Sequence, residues 1–448
     1  MATTDLTRTF TVATSNERKK HTYSAWIKLS ATGTESNTFF ANRPSNDYRF
    51  YYMIMNSSGG GSTVPNGFYC YMVYNGSAML EAIGTKKLRD VNGWYHIVVR
   101  TDTTQATAGD RFRVYINGEQ ETLTMGHTPD QDEELQVNRD AVHYIGEEGS
   151  GNGQFSGYMS HIHFCDGQSY APTEFGETDS NGVWTIKTSP SVSYGTNGFF
   201  ILKDGNSVTD QSGEGHNWAV NAGTLTDMQD CPDNVFATMN SLDNYEQGST
   251  FTIGNNKVEW NTDNKTNYAN FAINKGKYYW EMKFANNTGG DYGMIGISIA
   301  DGRQADDYPG HDSTGWSYYA SSGNKYNNGG SSYGDSWTVN DIIGVAFDAD
   351  TRTLWFSKNG VWQNSATIAE IAAGTTTNAA WTNMGTAGNF FFPCMSGYDG
   401  NKAEFNFGNG YFSTTQITDE GINASGIGKF EYDVPNNFTA LCTKGLNS

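Results

Sequence analysis

The sequence predicts an all-β protein made of two tandem antiparallel β-sandwiches. Three observations point there. Strand and turn formers dominate, with 52 Gly, 26 Tyr, 25 Phe and 11 Trp against 9 Pro, and aromatic or β-branched runs broken by Gly, Asn, Asp and Ser are strand-and-turn material. Helical periodicity is nearly missing, the two short candidates being 78–82 (AMLEA) and 367–373 (TIAEIAA). One hairpin design also occurs twice, far apart in the chain. In DIIGVAFDADTRTLWFSKNGVW (341–362), Ile342 to Phe347 reads as a buried strand and Asp348-Ala349-Asp350 as a turn. Thr353, Trp355 and Ser357 then alternate with Leu354 and Phe356, the period of a strand with two unlike faces, and Asn359-Gly360 closes the hairpin. Asn-Gly suits a type I′ turn, which needs positive φ at both central residues. RFRVYINGEQ (111–120) repeats the pattern around Asn117-Gly118.

A length of 448 residues fits three average domains or two large all-β ones. In the N-terminal part, HTYSAWIKLS (21–30) sets Tyr23, Ala25, Ile27 and Leu29 against Thr22, Ser24, Trp26 and Lys28. YRFYYMIMN (48–56) and GFYCYMVYNG (67–76) read as strands joined by the Gly/Ser-rich loop 56–66, and WYHIVVRTDTT (94–104), HYIGEE (143–148) and FSGYMSHIHFCDGQ (155–168) add more. The order SAWIKLS, WYHIVVRTDTT, DRFRVYINGEQ, YIGEE, FSGYMSHIHFCDGQ resembles a laminin G-like, concanavalin A-like jelly roll over about residues 8–175. The expected first domain is therefore 1–175. FGETDSNGVWTIK (175–187), YGTNGFF (194–200) and DNVFATMN (233–240) are similar to segments that follow this domain in virion structural proteins of tailed bacteriophages. Residues 176–240 carry Trp184, Phe199, Phe200, Trp218 and Phe236, too many large apolar groups for a free linker, so they read as a packed connector.

GKYYWEMKF (276–284), YGMIGISI (292–299), the 341–362 hairpin, NFFFPCMS (389–396) and AEFNFG (403–408) follow in an order that resembles the SPRY domain over about 250–412. That resemblance implies a bent antiparallel sandwich, here 241–412, that binds protein partners through loops at one end. Loops at 286–291 and 303–336 depart from the family pattern by their length and their Gly, Asn and Tyr content. The tail 413–448 holds Phe430, Tyr432, Val434, Phe438 and Leu441, which need something to pack on.

A net charge of −20 argues against nucleic acid as the partner. The N-terminus shows no basic region followed by an apolar stretch, and no run of about 18 apolar residues occurs, so neither a signal peptide nor membrane insertion is expected. Cys70, Cys165, Cys231, Cys394 and Cys442 are widely spaced with no C-x-x-C pair, which predicts no zinc site and no disulfides. Glycan cleavage by this kind of sandwich would need paired carboxylates at fixed separation. The nearest fragments, Glu177-Thr178-Asp179 and Glu431-Tyr432-Asp433, lack a third acid, and no catalytic residues are assigned. His161 and His163 share a strand face without a third ligand, and read as an exposed face. Calcium is the one cofactor left open: the candidate ligands are Asp306 and Asp307, Asp130 and Asp132, and Asp348 with Asp350, of which the last pair fits turn chemistry better. The binding candidate is the aromatic loop 308–337, where Tyr308, Trp316, Tyr318, Tyr319, Tyr326, Tyr333 and Trp337 are interleaved with Gly, Ser and Asn. Rigid amphipathic rings among small adaptable polar residues are recognition chemistry; rings along Trp316–Tyr319 also suit a core.

These readings lead to a non-enzymatic surface protein of a phage virion, serving as fibre, tail appendage or capsid decoration. Its expected partners are other virion proteins and a host surface glycan or protein. It is expected to be homo-oligomeric and assembled in the host cytoplasm. The alternatives are a purely structural virion component and a cellular glycan-binding or glycan-hydrolysing protein.

Overall fold

In the computed structural model, residues 4–30, 36–55, 65–203, 207–243, 248–299 and 307–447 are described. The chain divides into two units, Met1–Asp227 and Met228–Ser448. The segment 176–227 thus lies in the first unit and 228–240 in the second.

Among the described residues, the first unit has an eight-stranded and a six-stranded antiparallel sheet. The larger runs in the spatial order 123–127, 77–84, 67–74, 48–55, 37–45, 142–145, 5–9, 219–222. The smaller runs 199–201, 157–166, 20–29, 95–102, 112–116, 119–120. Period-2 alternation decides what lies between them: Tyr23, Ala25, Ile27 and Leu29 meet Phe40, Phe50, Tyr52, Ile54, Phe68 and Leu80 in one core. The opposite face of the six-stranded sheet is covered as well, by Phe175, Tyr194 and Phe200 over Val98 and Cys165. Strand Lys20–Leu29 is consequently buried on both faces, and its polar alternation partners are satisfied internally, as where Ser24 Oγ meets His96 Nε2 at 2.8 Å. The short helix expected at 78–82 is instead part of strand Ser77–Gly84. Pairing on both sides, with 67–74 and 123–127, overrides the helix preference of Ala, Met, Leu and Glu.

The second unit repeats the layering. One sheet follows 249–252, 257–260, 401–406, 277–287, 342–348, 353–358, 361–362, with 439–440 added parallel to 277–287. The other follows 265–268, 391–397, 294–299, 315–319, 324–326, 330–332. The hairpin forms in the expected register, Phe347 facing Leu354 and Val345 facing Phe356, and Asn359 and Gly360 take φ of 49° and 79°, as a type I′ turn requires. Leu354 and Phe356 enter the core between the sheets. Trp355, on the face that alternation marks as less apolar, is also buried, under Phe430, Phe438 and Ile371. Ile371 comes from helix Ile368–Ala372, whose Thr367 cap and Glu370 complete a capping box.

The segment 315–337 is the main local correction. Read as a loop, it folds into strands Gly315–Tyr319, Asn324–Tyr326 and Gly330–Ser332, an antiparallel meander on the edge of the six-stranded sheet. Asn324–Tyr326 and Gly330–Ser332 are short and polar, separated by Gly, Asn and Ser, and carry no apolar alternation to reveal them.

Candidate functional site

The meander sorts the seven aromatic candidates into two groups. Trp316, Tyr318, Tyr333 and Trp337 are at most 8% exposed and belong to the core. Tyr318 donates its hydroxyl proton to the Asp335 carbonyl, Tyr333 Oη accepts from the Phe356 N–H at 3.1 Å, and Trp337 packs edge-on to Phe284 at 5.2 Å. These four are thereby removed from the binding surface: strands that alternate send every second ring inward, and the sandwich needed large side chains there.

Tyr308, Tyr319 and Tyr326 remain half-exposed and stand together. Tyr326 meets Tyr319 edge-to-face at 5.7 Å and Tyr308 at 5.9 Å, and Tyr308 meets His311 at 5.4 Å, each pair near perpendicular. The result is a row of ring edges and faces, the geometry that quadrupoles favour. Tyr292, 45% exposed, packs on Tyr398 at 5.0 Å. Burial raises the Tyr319 hydroxyl pKa, with Tyr292, Tyr326 and Asp291 adding to it, which places Tyr292 within electrostatic reach of the row. Neither Tyr292 nor Tyr398 was singled out from sequence; a lone Tyr beside a Gly turn gives no signal of its own.

The row is flanked by acids. Asp307 takes the Tyr308 backbone N–H on Oδ1 at 2.9 Å and His311 Nδ1 on Oδ2 at 3.2 Å. Its carboxylate is thus spent on its own loop, and Asp306 lies outside the described residues. Asp348 caps its turn by accepting from Asp350 N and Thr351 N at 3.0 and 3.1 Å and pairs with Lys277 at 3.2 Å. Asp132 pairs with Lys19 at 3.3 Å. Among the described residues no group of three or more His, Cys, Asp or Glu stands close enough to hold a metal ion. His161 and His163 are buried rather than exposed, because residues 175–200 cover their face; both rings pack on Phe200, and His163 Nδ1 meets the Tyr194 hydroxyl at 3.0 Å.

Three of the four carboxylates weighed for glycan cleavage are occupied in turns and on the surface. Asp179 Oδ1 accepts from Asn181 N and Val183 N at 2.9 and 2.8 Å, Glu177 pairs with Lys187 at 3.8 Å, and Asp433 accepts from Ile422 N at 2.7 Å.

The first unit holds a groove that the sequence did not announce, about 520 Å³ and lined by Trp26, Trp94, Tyr95, Trp184, Lys86 and Glu119 among others, with Trp26 and Trp94 themselves buried. Trp184 reaches it from the small hairpin 176–186 and lies across the Asn117-Gly118 turn. Gly118 has φ of 79°, and a Cβ there would lie 2.5 Å from the indole. The signal that could have found the groove is the i, i+2 separation of the Trp94 and His96 side chains on one strand face, opposite Trp26; it needs the pairing Trp26↔His96 to be known first.

The two units define an all-β chain of two antiparallel sandwiches. Residues 4–169 match the concanavalin A-like lectin/glucanases superfamily and residues 277–410 match the SPRY domain, so the chain carries one domain of each. Both are domain types that typically bind rather than catalyse. Over 124 residues the chain is 29% identical to the ATP-dependent RNA helicase DDX1 of Xenopus laevis, covering 26% of this chain and 15% of that protein. Among solved structures, the SPRY domain of human HERC1 aligns at 23% identity over 34% of this chain and 87% of its own, with a TM-score of 0.27. The TRIM65 PSpry domain aligns at 11% identity over 38% and 91%, with a TM-score of 0.30. Stonustoxin aligns at 17% identity over 38% and 27%, with a TM-score of 0.29.

Proposed function

We propose that this chain is a non-catalytic adhesion protein that binds a surface glycan or protein through the aromatic row of its second unit. The observation that supports it is the partly exposed row Tyr308, Tyr326, Tyr319, held edge-to-face with Tyr319 and Tyr326 on strands of the meander and Tyr308 on the loop that precedes it. The bordering carboxylates, Asp307 and Asp291, suit a neutral sugar face or a basic peptide better than an anion. Rings pre-positioned this way lose little side-chain entropy on binding, which favours affinity.

Display on a tailed-phage particle, as a homo-oligomer beside other virion proteins, is part of the same proposal. It is supported by the resemblance of 175–187, 194–200 and 233–240 to virion proteins. The test is a glycan array and a host-cell pull-down with the full chain and its Tyr308→Ala/Tyr326→Ala variant. The variant should lose the binding that the parent shows. Equal binding by both would overturn the reading. Locating the chain on a purified particle tests the display.

A further inference from the structure

We infer that Asn328-Gly329 is a self-modifying site, at which the chain converts Asn328 to aspartate or isoaspartate without an enzyme and so alters the aromatic row. The reaction needs only an asparagine amide, the N–H of the next residue and water. Gly329 N forms a bond to Asn328 Cγ and loses its proton to water or hydroxide, the Cγ–Nδ2 bond breaks, and ammonia leaves. Water then opens the cyclic imide at one of its two carbonyls. Breaking the new bond from Gly329 N to Cγ gives aspartate. Breaking the bond from Gly329 N to the old backbone carbonyl gives isoaspartate, with the main chain routed through the side chain. Glycine suits the step because, without a Cβ, it allows close approach of its backbone.

The chain holds ten Asn-Gly pairs, and the fold engages most of them. At Asn75, Asn181 and Asn409 the glycine N–H is already donated, to the Asp47 carbonyl, the Asp179 carbonyl and Asn406 Oδ1, each at 3.1 Å. At Asn117, Asn197 and Asn359 the amide oxygen accepts a backbone N–H, from His96 at 2.8 Å, Thr11 at 2.9 Å and Ile342 at 2.8 Å. Asn152 donates Nδ2 to Ser150 Oγ at 3.1 Å, and Asn66 and Asn92 are only partly exposed. Asn328 differs on each count. It is exposed, and neither its side-chain amide nor the Gly329 N–H has a hydrogen-bond partner among the described residues. The Asn328 N–H donates to the carbonyls of Gly310 and Asp312 at 2.9 and 3.1 Å, which fixes one side of the turn. On the other side a Cβ on Gly329 would meet nothing within 4 Å, so the Asn328–Gly329 peptide can swing toward the side chain unobstructed.

The place of this pair gives the reaction a consequence. Residues 327–329 form the turn between the paired residues Tyr326 and Gly330, and the two Asn328 N–H contacts tie that turn to the segment carrying Tyr308 and His311. Isoaspartate lengthens the main chain of this turn by a methylene and puts a negative charge two residues from Tyr326. The effect on adhesion rests on the function proposed above; the conversion itself stands without it.

The test is peptide mapping by mass spectrometry of the full chain, aged at mildly alkaline pH and sampled over time. Asn328 should convert about tenfold or more faster than Asn117, Asn197 and Asn359, the factor expected where a buried hydrogen bond must open first. In urea, with the fold removed, the four rates should converge. Asn328→Gln changes one exposed side chain, enlarges the ring that must close, and should stop conversion at this position. Host-surface binding is then measured on fresh and aged protein. The aged parent should bind about tenfold weaker or less than that, the scale of losing a central aromatic contact, while Asn328→Gln should bind equally well before and after ageing. The site is overturned if folded Asn328 converts no faster than the three engaged asparagines, or if its lead persists in urea. Its effect on the row is overturned if a fully converted chain binds as the fresh one does. A fresh chain that binds no host surface counts against the proposed function, and the peptide map then decides the modification by itself.

Discussion

The indole N–H of Trp184 donates to Nδ1 of His96 over 3.0 Å, and the same imidazole places Nε2 2.8 Å from Ser24 Oγ. Because Nδ1 accepts, the ring proton sits on Nε2 and is donated to Ser24, so one bond fixes the tautomer of a fully buried histidine. Trp184→Phe keeps an aromatic ring over Gly118 but removes the donor. It should cost about 1–3 kcal/mol, the penalty for a buried acceptor left unmet. Urea unfolding of the two proteins measures it, and an unchanged midpoint would show that the bond contributes nothing.

The two units should answer acid in opposite senses. In the first, burial holds His21, His96 and His143 each at about 3 and lowers His163 well below the ordinary imidazole value. The unfolded chain takes up these protons from about pH 6.5 downward while the folded unit does not, so stability falls as pH drops below that point. Each group contributes up to about 1.4 kcal/mol per pH unit in that window. Asp166, raised by burial to about 7, pulls the other way, and so do Glu133 and Glu147, whose carboxyls burial also raises.

In the second unit the governing group is Glu281. Burial pushes it up to about 7, against the pull of donors from Glu431 N, Tyr432 N, Asn406 and Tyr279. Its folded pKa lies above the ordinary 4.5, so the stability it adds is present below about 4.5 and is lost as pH rises through about 7. Calorimetry between about pH 7.5 and about pH 5 should show one transition falling with acid and the other holding or rising. Glu281→Gln should abolish the pH response of the second alone.

The end of the chain is part of the second unit's core. Phe430, Phe438 and Cys442 are at most 1% exposed and, with Ala440 pairing beside Tyr279, they cover Trp355. Phe430→Ala should cost about 3–5 kcal/mol, the usual result of emptying a buried aromatic site. Thermal unfolding of the full chain checks it; a loss below about 1 kcal/mol would mean that the tail is not integral to the unit.

How much of this was legible in the sequence depends on whether a feature was local. The Asn359-Gly360 hairpin was, because turn chemistry and a two-residue period suffice to specify it. Strand Ser77–Gly84 was not, because AMLEA favours a helix until two neighbours claim its backbone. Residues 315–337 showed their aromatic content but not their folding, so the inward rings Tyr318 and Trp337 could not be told from the outward Tyr319 and Tyr326. The groove was least legible of all, since Trp26, Trp94 and Trp184 converge only after three strands have paired.

The separation of inward from outward rings yields the sharpest functional prediction. Tyr318 and Tyr326 lie on adjacent strands, and both sit among aromatic neighbours. Tyr318 is fully buried between Tyr333 and Phe356, and its hydroxyl is bound to the Asp335 carbonyl. Tyr318→Ala should therefore cost about 3–5 kcal/mol by opening a cavity and freeing that acceptor. Tyr326 is half-exposed at the centre of the row, so Tyr326→Ala should cost less than about 1 kcal/mol while reducing adhesion about tenfold or more, as expected of a central aromatic contact. Paired measurements of unfolding and of host-surface binding on both variants separate the roles. If Tyr326→Ala destabilises as much as Tyr318→Ala and binds as well as the parent, the row belongs to the core and recognition lies elsewhere.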